Sequence, residues 1–76
     1  MSLIRMMNLE GLEVSRIEGD DNSYVVEDVG GHSCVLELDD DFVLIYHATG
    51  LIEKMHINQD NLIMYSVLSA LDYEFD

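Results

Sequence analysis

The sequence predicts an α+β fold: a small antiparallel β-meander of about five strands with one C-terminal amphipathic helix packed on one face. Three observations predict it. Between Leu12 and Ile57, short runs rich in Val, Ile, Leu, Tyr and Phe alternate with clusters of Gly, Asp and Asn, the pattern of strands joined by tight turns. Phe42-Val43-Leu44-Ile45-Tyr46 is the only run of five consecutive apolar residues, which reads as the central strand, buried on both faces. From Leu62 onward the apolar spacing becomes helical. The alternative is a nearly all-β barrel with a terminal helix.

The 76 residues make one domain, 1–76. A domain of this size buries roughly 60% of the surface its unfolded chain exposes, so its core is marginal. Apolar residues form 49% of the chain, as in globular proteins rather than disordered ones.

Taken in order, residues 1–10 fit neither period. Leu3, Ile4, Met6, Met7 and Leu9 make a segment too short for an independent helix, so a helix ordered only by packing and a short strand are equally expected. Leu12 to Glu18 reads as a first strand, Gly19-Asp20-Asp21-Asn22 as a turn, and Tyr24 to Val29 as a second strand. Gly30-Gly31 suits a two-residue hairpin turn, which sets Val29 opposite His32. The third strand is Ser33 to Leu38. In that register Val25, Glu27, Val29, Cys34 and Leu36 share the face assigned to the core. Tyr24, Val26, Asp28, Ser33, Val35 and Glu37 share the other. Asp39-Asp40-Asp41 leads into the fourth strand, Phe42 to His47. The length of that turn decides whether Phe42, Leu44 and Tyr46 point inward, or Val43 and Ile45.

Ala48-Thr49-Gly50 turns the chain into a fifth strand, Leu51 to Ile57. Asn58 or Asp60 is expected to cap the helix. Its apolar arc holds Ile63, Met64, Val67, Leu68, Ala70, Leu71 and Phe75, and Tyr65, Ser66, Ser69, Asp72 and Tyr73 lie opposite. Three acidic residues in the tail, Asp72, Glu74 and Asp76, oppose the helix dipole, so 74–76 is expected to fray or to meet a basic partner. One helix covers one face of a sheet. The second face, partly apolar, must curl into a barrel or be covered by a partner.

The charge is the unusual quantity. Sixteen acidic residues stand against three basic ones, Arg5, Arg16 and Lys54, for a net charge of -13. Such a field repels nucleic acid and anionic membrane and attracts basic surfaces. It also keeps a small protein soluble, a sufficient explanation by itself. The single cysteine, Cys34, reads as a buried, inert thiol in a strand, and one cysteine allows no internal disulfide. With no secretory signal or membrane span apparent, a cytoplasmic location is expected, in a microbe or in a host cell.

Chemistry-bearing motifs are sparse. His47 and His56 fall at opposite ends of one hairpin, roughly 15 Å apart or more. Neither aspartate cluster has the alternating spacing of a calcium loop. His32 and Cys34 are two apart on a strand, a turn histidine beside a buried thiol rather than a nucleophile and its base. Gly30-Gly31 belongs to a hairpin, not a phosphate loop. No enzyme, metal or cofactor is therefore expected.

The expected function is a non-enzymatic acidic module that binds a basic protein surface, as an inhibitor or a nucleic-acid mimic. Its carriers are Glu13, Glu18, Asp20, Asp21, Asp28, Glu37, Asp39, Asp40 and Asp41. Carboxylates at i and i+2 on one strand face lie ~6.8 Å apart, near two phosphate steps along a DNA strand, also ~6.8 Å. Neither direct nucleic-acid binding nor membrane binding is expected. The alternative is a homo-oligomeric structural or accessory subunit, a homodimer for instance, associating through an exposed apolar sheet face that includes Tyr24, Val26 and Val35.

Overall fold

The computed structural model describes residues 3–72. A short helix, α1 (Leu3–Leu9), precedes five strands, β1 (Glu13–Arg16), β2 (Ser23–Glu27), β3 (Ser33–Asp39), β4 (Phe42–Tyr46) and β5 (Ile52–His56). The helix α2 (Asp60–Asp72) follows. The strands form one antiparallel sheet in the order β1-β2-β3-β4-β5, so each pairs with its sequence neighbour and β1 and β5 are the edges. The meander does not close into a barrel. Its central strand is β3, and the apolar run forms β4.

Both helices lie on the same face of the sheet. α2 packs over β3, β4 and β5, while α1 packs on β1 and touches α2. Of the segment 1–10, ambiguous in sequence, Leu3–Leu9 is helical because its apolar residues meet the sheet: Met7 is fully buried, and Leu3 and Met6 pack against the core. Leu12, expected in the first strand, instead sits buried just after α1, its amide donating to the Met7 carbonyl at 2.9 Å.

The expected face assignment is wrong for β2, and one turn explains it. The β2–β3 loop holds three residues, Val29, Gly30 and Gly31, closed by the Asp28 amide donating to the His32 carbonyl at 2.9 Å. Oδ1 of Asp28 accepts from the amides of Gly30 and His32, both at 2.9 Å. Gly31 closes the loop at φ 87°, where a side chain is strained. The extra loop residue moves the register by one, to Val26↔Cys34 and Tyr24↔Leu36. Because side chains alternate along a strand, that single step reverses the faces of β2. Val26 is fully buried and Tyr24 packs against the core, whereas Val25 faces away from the helices and Val29 is 98% exposed.

The β3–β4 turn is shorter. Asp39 pairs with Phe42, leaving Asp40 and Asp41 as the loop, with Asp40 at φ 55°. Val43 and Ile45 thus point inward and are fully buried. The apolar run is not buried on both faces: Phe42 is exposed and Leu44 and Tyr46 half-buried on the uncovered side. The β4–β5 loop, Ala48-Thr49-Gly50, matches expectation, with the His47 amide donating to the Leu51 carbonyl.

In α2, Ile63, Met64, Val67, Ala70 and Leu71 are buried as their spacing predicts. Ser66, expected on the solvent side, is also buried, and Leu68 stays 38% exposed. The helix starts one residue away from the expected caps: the Gln59 carbonyl accepts from Ile63, so Asp60 occupies the first turn, where its charge suits the dipole. The expectations for Tyr73, Phe75 and the 74–76 tail lie outside the described residues.

The register makes a direct prediction. Val26→Asp should cost more than about 4 kcal/mol, because it places an unpaired carboxylate in a site without water. Val25→Asp, one residue away on the open face, should leave urea unfolding nearly unchanged. A reversed pair of outcomes would restore the two-residue turn.

Candidate functional site

The nine predicted carboxylates fall into three settings. Glu18, Asp20 and Asp21 lie in the β1–β2 loop, and Asp39, Asp40 and Asp41 lie at the β3–β4 turn; all six are exposed. The two groups are neighbours, because the Leu38 amide donates to the Asn22 carbonyl at 2.8 Å. Six of the nine thus meet at one end of the sheet. Glu13 and Asp28 sit towards the other end. Glu37 lies between them on the uncovered face.

Two of these residues are already committed to local structure. Oδ1 of Asp20 accepts from the Asn22 amide at 3.0 Å, and Oδ2 from the Ser23 hydroxyl at 2.7 Å. The Ser23 hydrogen bond, then that from Asn22, holds the Asp20 carboxyl below its ordinary pKa. Asp28 fixes the β2–β3 loop and pairs with His32 Nδ1 at 3.2 Å. Burial works against its charge, but the His32 amide, the His32 ring and the Gly30 amide outweigh it, and its pKa is lowered.

The uncovered face of the sheet combines apolar and charged side chains. The register lines up Val25, Val35, Tyr46 and Ile52 in one row across four strands. Glu13 and Glu27 are directly paired at one side of that face, a like-charge juxtaposition that weakens the β1–β2 pairing there. At the other side Lys54 Nζ lies 4.7 Å from the centroid of the Phe42 ring, which meets His56 edge-on. Between them Tyr46 donates its hydroxyl to Glu37 at 2.9 Å, and that hydrogen bond raises the tyrosine pKa. Only Val35 of the expected self-association trio lies on this face; Tyr24 and Val26 belong to the core face. Among the predicted carboxylates, Glu37 and Asp39 share this face at an i,i+2 spacing. Glu13 lies on this face at its β1 edge, and the remaining six gather at turns rather than in a strand ladder.

Sequence reasoning missed a polar cluster where α2 meets the β4–β5 hairpin. His47 Nε2 lies 2.6 Å from Glu53 Oε1, and the buried Ser66 hydroxyl also bonds to the Glu53 carboxylate. The Ser66 hydrogen bond is the main reason that the Glu53 pKa falls below its ordinary value; burial opposes it and His47 assists. The residue types are those of a hydrolytic triad, but the connectivity is not. The carboxylate stands between serine and histidine, so the histidine has no contact through which to take the serine proton. The trio instead ties α2 to the β4–β5 hairpin. Its signal in the sequence is Glu53 itself, which alternates with Met55 on a core-facing strand and so demands polar partners.

Among the described residues, no three His, Cys, Asp or Glu side chains are placed to hold a metal ion, and no helix is long and apolar enough to cross a membrane. No family model matches the chain, and no curated protein or solved structure is significantly similar to it.

The polar trio predicts a pH effect with a defined sign. Glu53 binds its proton less readily folded than unfolded, so its stabilisation is complete above its ordinary pKa of 4.5 and is lost as pH falls through the depressed folded value. Glu53→Gln should therefore flatten the loss of stability below about pH 5, measured by chemical denaturation at a series of pH values. At neutral pH, Glu53→Ala should cost about 1–3 kcal/mol, because it leaves the buried Ser66 hydroxyl without its acceptor.

Proposed function

We propose that this chain is a non-enzymatic acidic module that binds a basic surface on a partner protein. The observation that carries the reading is the gathering of Glu18, Asp21, Asp39, Asp40 and Asp41 on two adjoining turns, all exposed and none held by the hydrogen bonds that occupy Asp20 and Asp28. A concentrated patch of one sign raises the encounter rate with a cationic surface and selects against acidic ones. A nucleic-acid-binding groove is one such surface, and occupying it would make the module an inhibitor. Support for this narrower form is the shared sign and density of charge, not a regular strand ladder.

The test is capture of partners from a lysate at low salt, elution with a salt gradient, and titration of the recovered protein. Affinity should fall steeply between about 50 and 300 mM salt, as screening shortens the reach of the field. Asp21→Asn, Asp39→Asn and Asp41→Asn combined should weaken binding and flatten that salt dependence. Competition by added DNA separates the inhibitor form from binding elsewhere. Affinity indifferent to salt would falsify the reading.

A second reading, a homo-oligomeric structural or accessory subunit, is supported by the row Val25, Val35, Tyr46 and Ile52, which no element among the described residues covers. It predicts a concentration-dependent sedimentation coefficient that Leu44→Asp, at the centre of that face, abolishes. A single species across a hundredfold range of concentration would exclude it.

A further inference from the structure

Beneath α1 the core is incomplete. An apolar cavity of about 170 Å³ opens there, its lining including Ile4, Met7, Tyr24, Leu36, Leu38 and Ile57. Met7 and Leu36 are buried, while Ile4 and Ile57 are 44% and 37% exposed and form the mouth. Its size is close to the void of about 150 Å³ that accepts a benzene ring, so it holds the end of one bulky apolar side chain.

The walls of the cavity hang from the acidic turns. The Leu38 amide donates to the Asn22 carbonyl of the β1–β2 loop at 2.8 Å. The Ile57 amide donates to the Asp41 carbonyl of the β3–β4 turn at 2.7 Å. The cavity therefore lies at the end of the sheet where Glu18, Asp20, Asp21, Asp40 and Asp41 gather, while Asp39 belongs to the opposite face. Of the cations, Lys54 lies on the opposite face, Arg5 already interacts within the chain, and Arg16 lies at the start of the β1–β2 loop.

Two neighbouring features thus ask for different chemistry from one ligand. A neutral hydrocarbon would use the cavity and ignore the charge. A purely polar cation would use the charge and leave the cavity empty. We infer that the cavity and the two acidic turns form one docking site for a cationic amphipathic peptide segment, with a bulky apolar side chain in the cavity and Lys or Arg against the turns. The inference rests on the acidic-module reading and specifies the partner surface it takes.

The probe is a synthetic helical peptide of Lys and Leu, about 18 residues or five turns long. Its control has Ala at every Leu position and the same charge. Both are titrated into the full chain, followed by calorimetry and by the methyl signals of Leu36, Leu38 and Ile57. The Leu peptide should bind about tenfold tighter or more, the effect of burying one leucine, and should shift those methyls. Ile57→Ser, at the mouth, should remove that advantage, whereas Ile52→Ser, on the open face, should keep it; circular dichroism checks that both fold. Equal affinity for the two peptides would overturn the docking site and leave the acidic module standing. Failure of both to bind at low salt would sink both readings. Loss in Ile52→Ser alone would move the contact to the open face. Benzene shifting the methyls where the Leu peptide does not would make the cavity a small-molecule site. Either of the last two results overturns the proposal.

Discussion

The Asp28 carboxylate sets the arrangement of the sheet. By accepting two backbone amides it makes the β2–β3 loop three residues long rather than two. The loop length fixes the register, and the register decides which side chains of β2 meet the helices. Val26 then joins Cys34, and Tyr24 joins Leu36 and Ile45, in rows that α1 and α2 can cover. A core of this size has few residues to spare. Moving one strand by one position would remove two of its larger members and turn Glu27 inward.

That dependence explains how far the sequence could be read. The elements themselves follow from local chemistry: β-rich runs, glycine and aspartate turns, and a helical period after Asp60. The strands, their order and the C-terminal helix were legible because each rests on nearest neighbours in sequence. The facing of β2 was not, because it depends on whether a carboxylate captures an amide two residues ahead, whereas Cys34 and Leu36 of β3 lie on the core face as expected. Asp28 looked like one more surface charge, and Gly30-Gly31 looked like a complete turn. α1 was hidden for a related reason. Its seven residues have no helical stability of their own and take their shape from the surface beneath them.

The candidate site was partly legible on the same terms. Aspartates in turns are readily located in sequence, so the acidic loops were found. Their exact proximity was not, since it depends on the β2–β3 register, Ser23 opposite Glu37, which brings the Leu38 amide to the Asn22 carbonyl. Nor was the division of labour among them, in which Asp20 and Asp28 build loops while Asp21 and Asp41 face solvent. Glu53 shows the converse: a charged residue that appeared to be one of many is held, partly exposed, between a serine and a histidine.

An unclosed sheet has a further consequence for life at high concentration. β1 and β5 each present an unpaired ribbon of backbone donors and acceptors, the template on which fibrils grow. β1 is only four residues long and bears Glu13 and Arg16, while β5 carries Glu53 and Lys54 in succession. Stacking folded copies edge to edge would repeat the whole charge of -13 with every added five-stranded sheet, roughly every 24 Å at about 4.8 Å per strand. The excess of aspartate and glutamate thus places like charge at the very edges that the meander topology leaves open, and so opposes edge-to-edge pairing of copies.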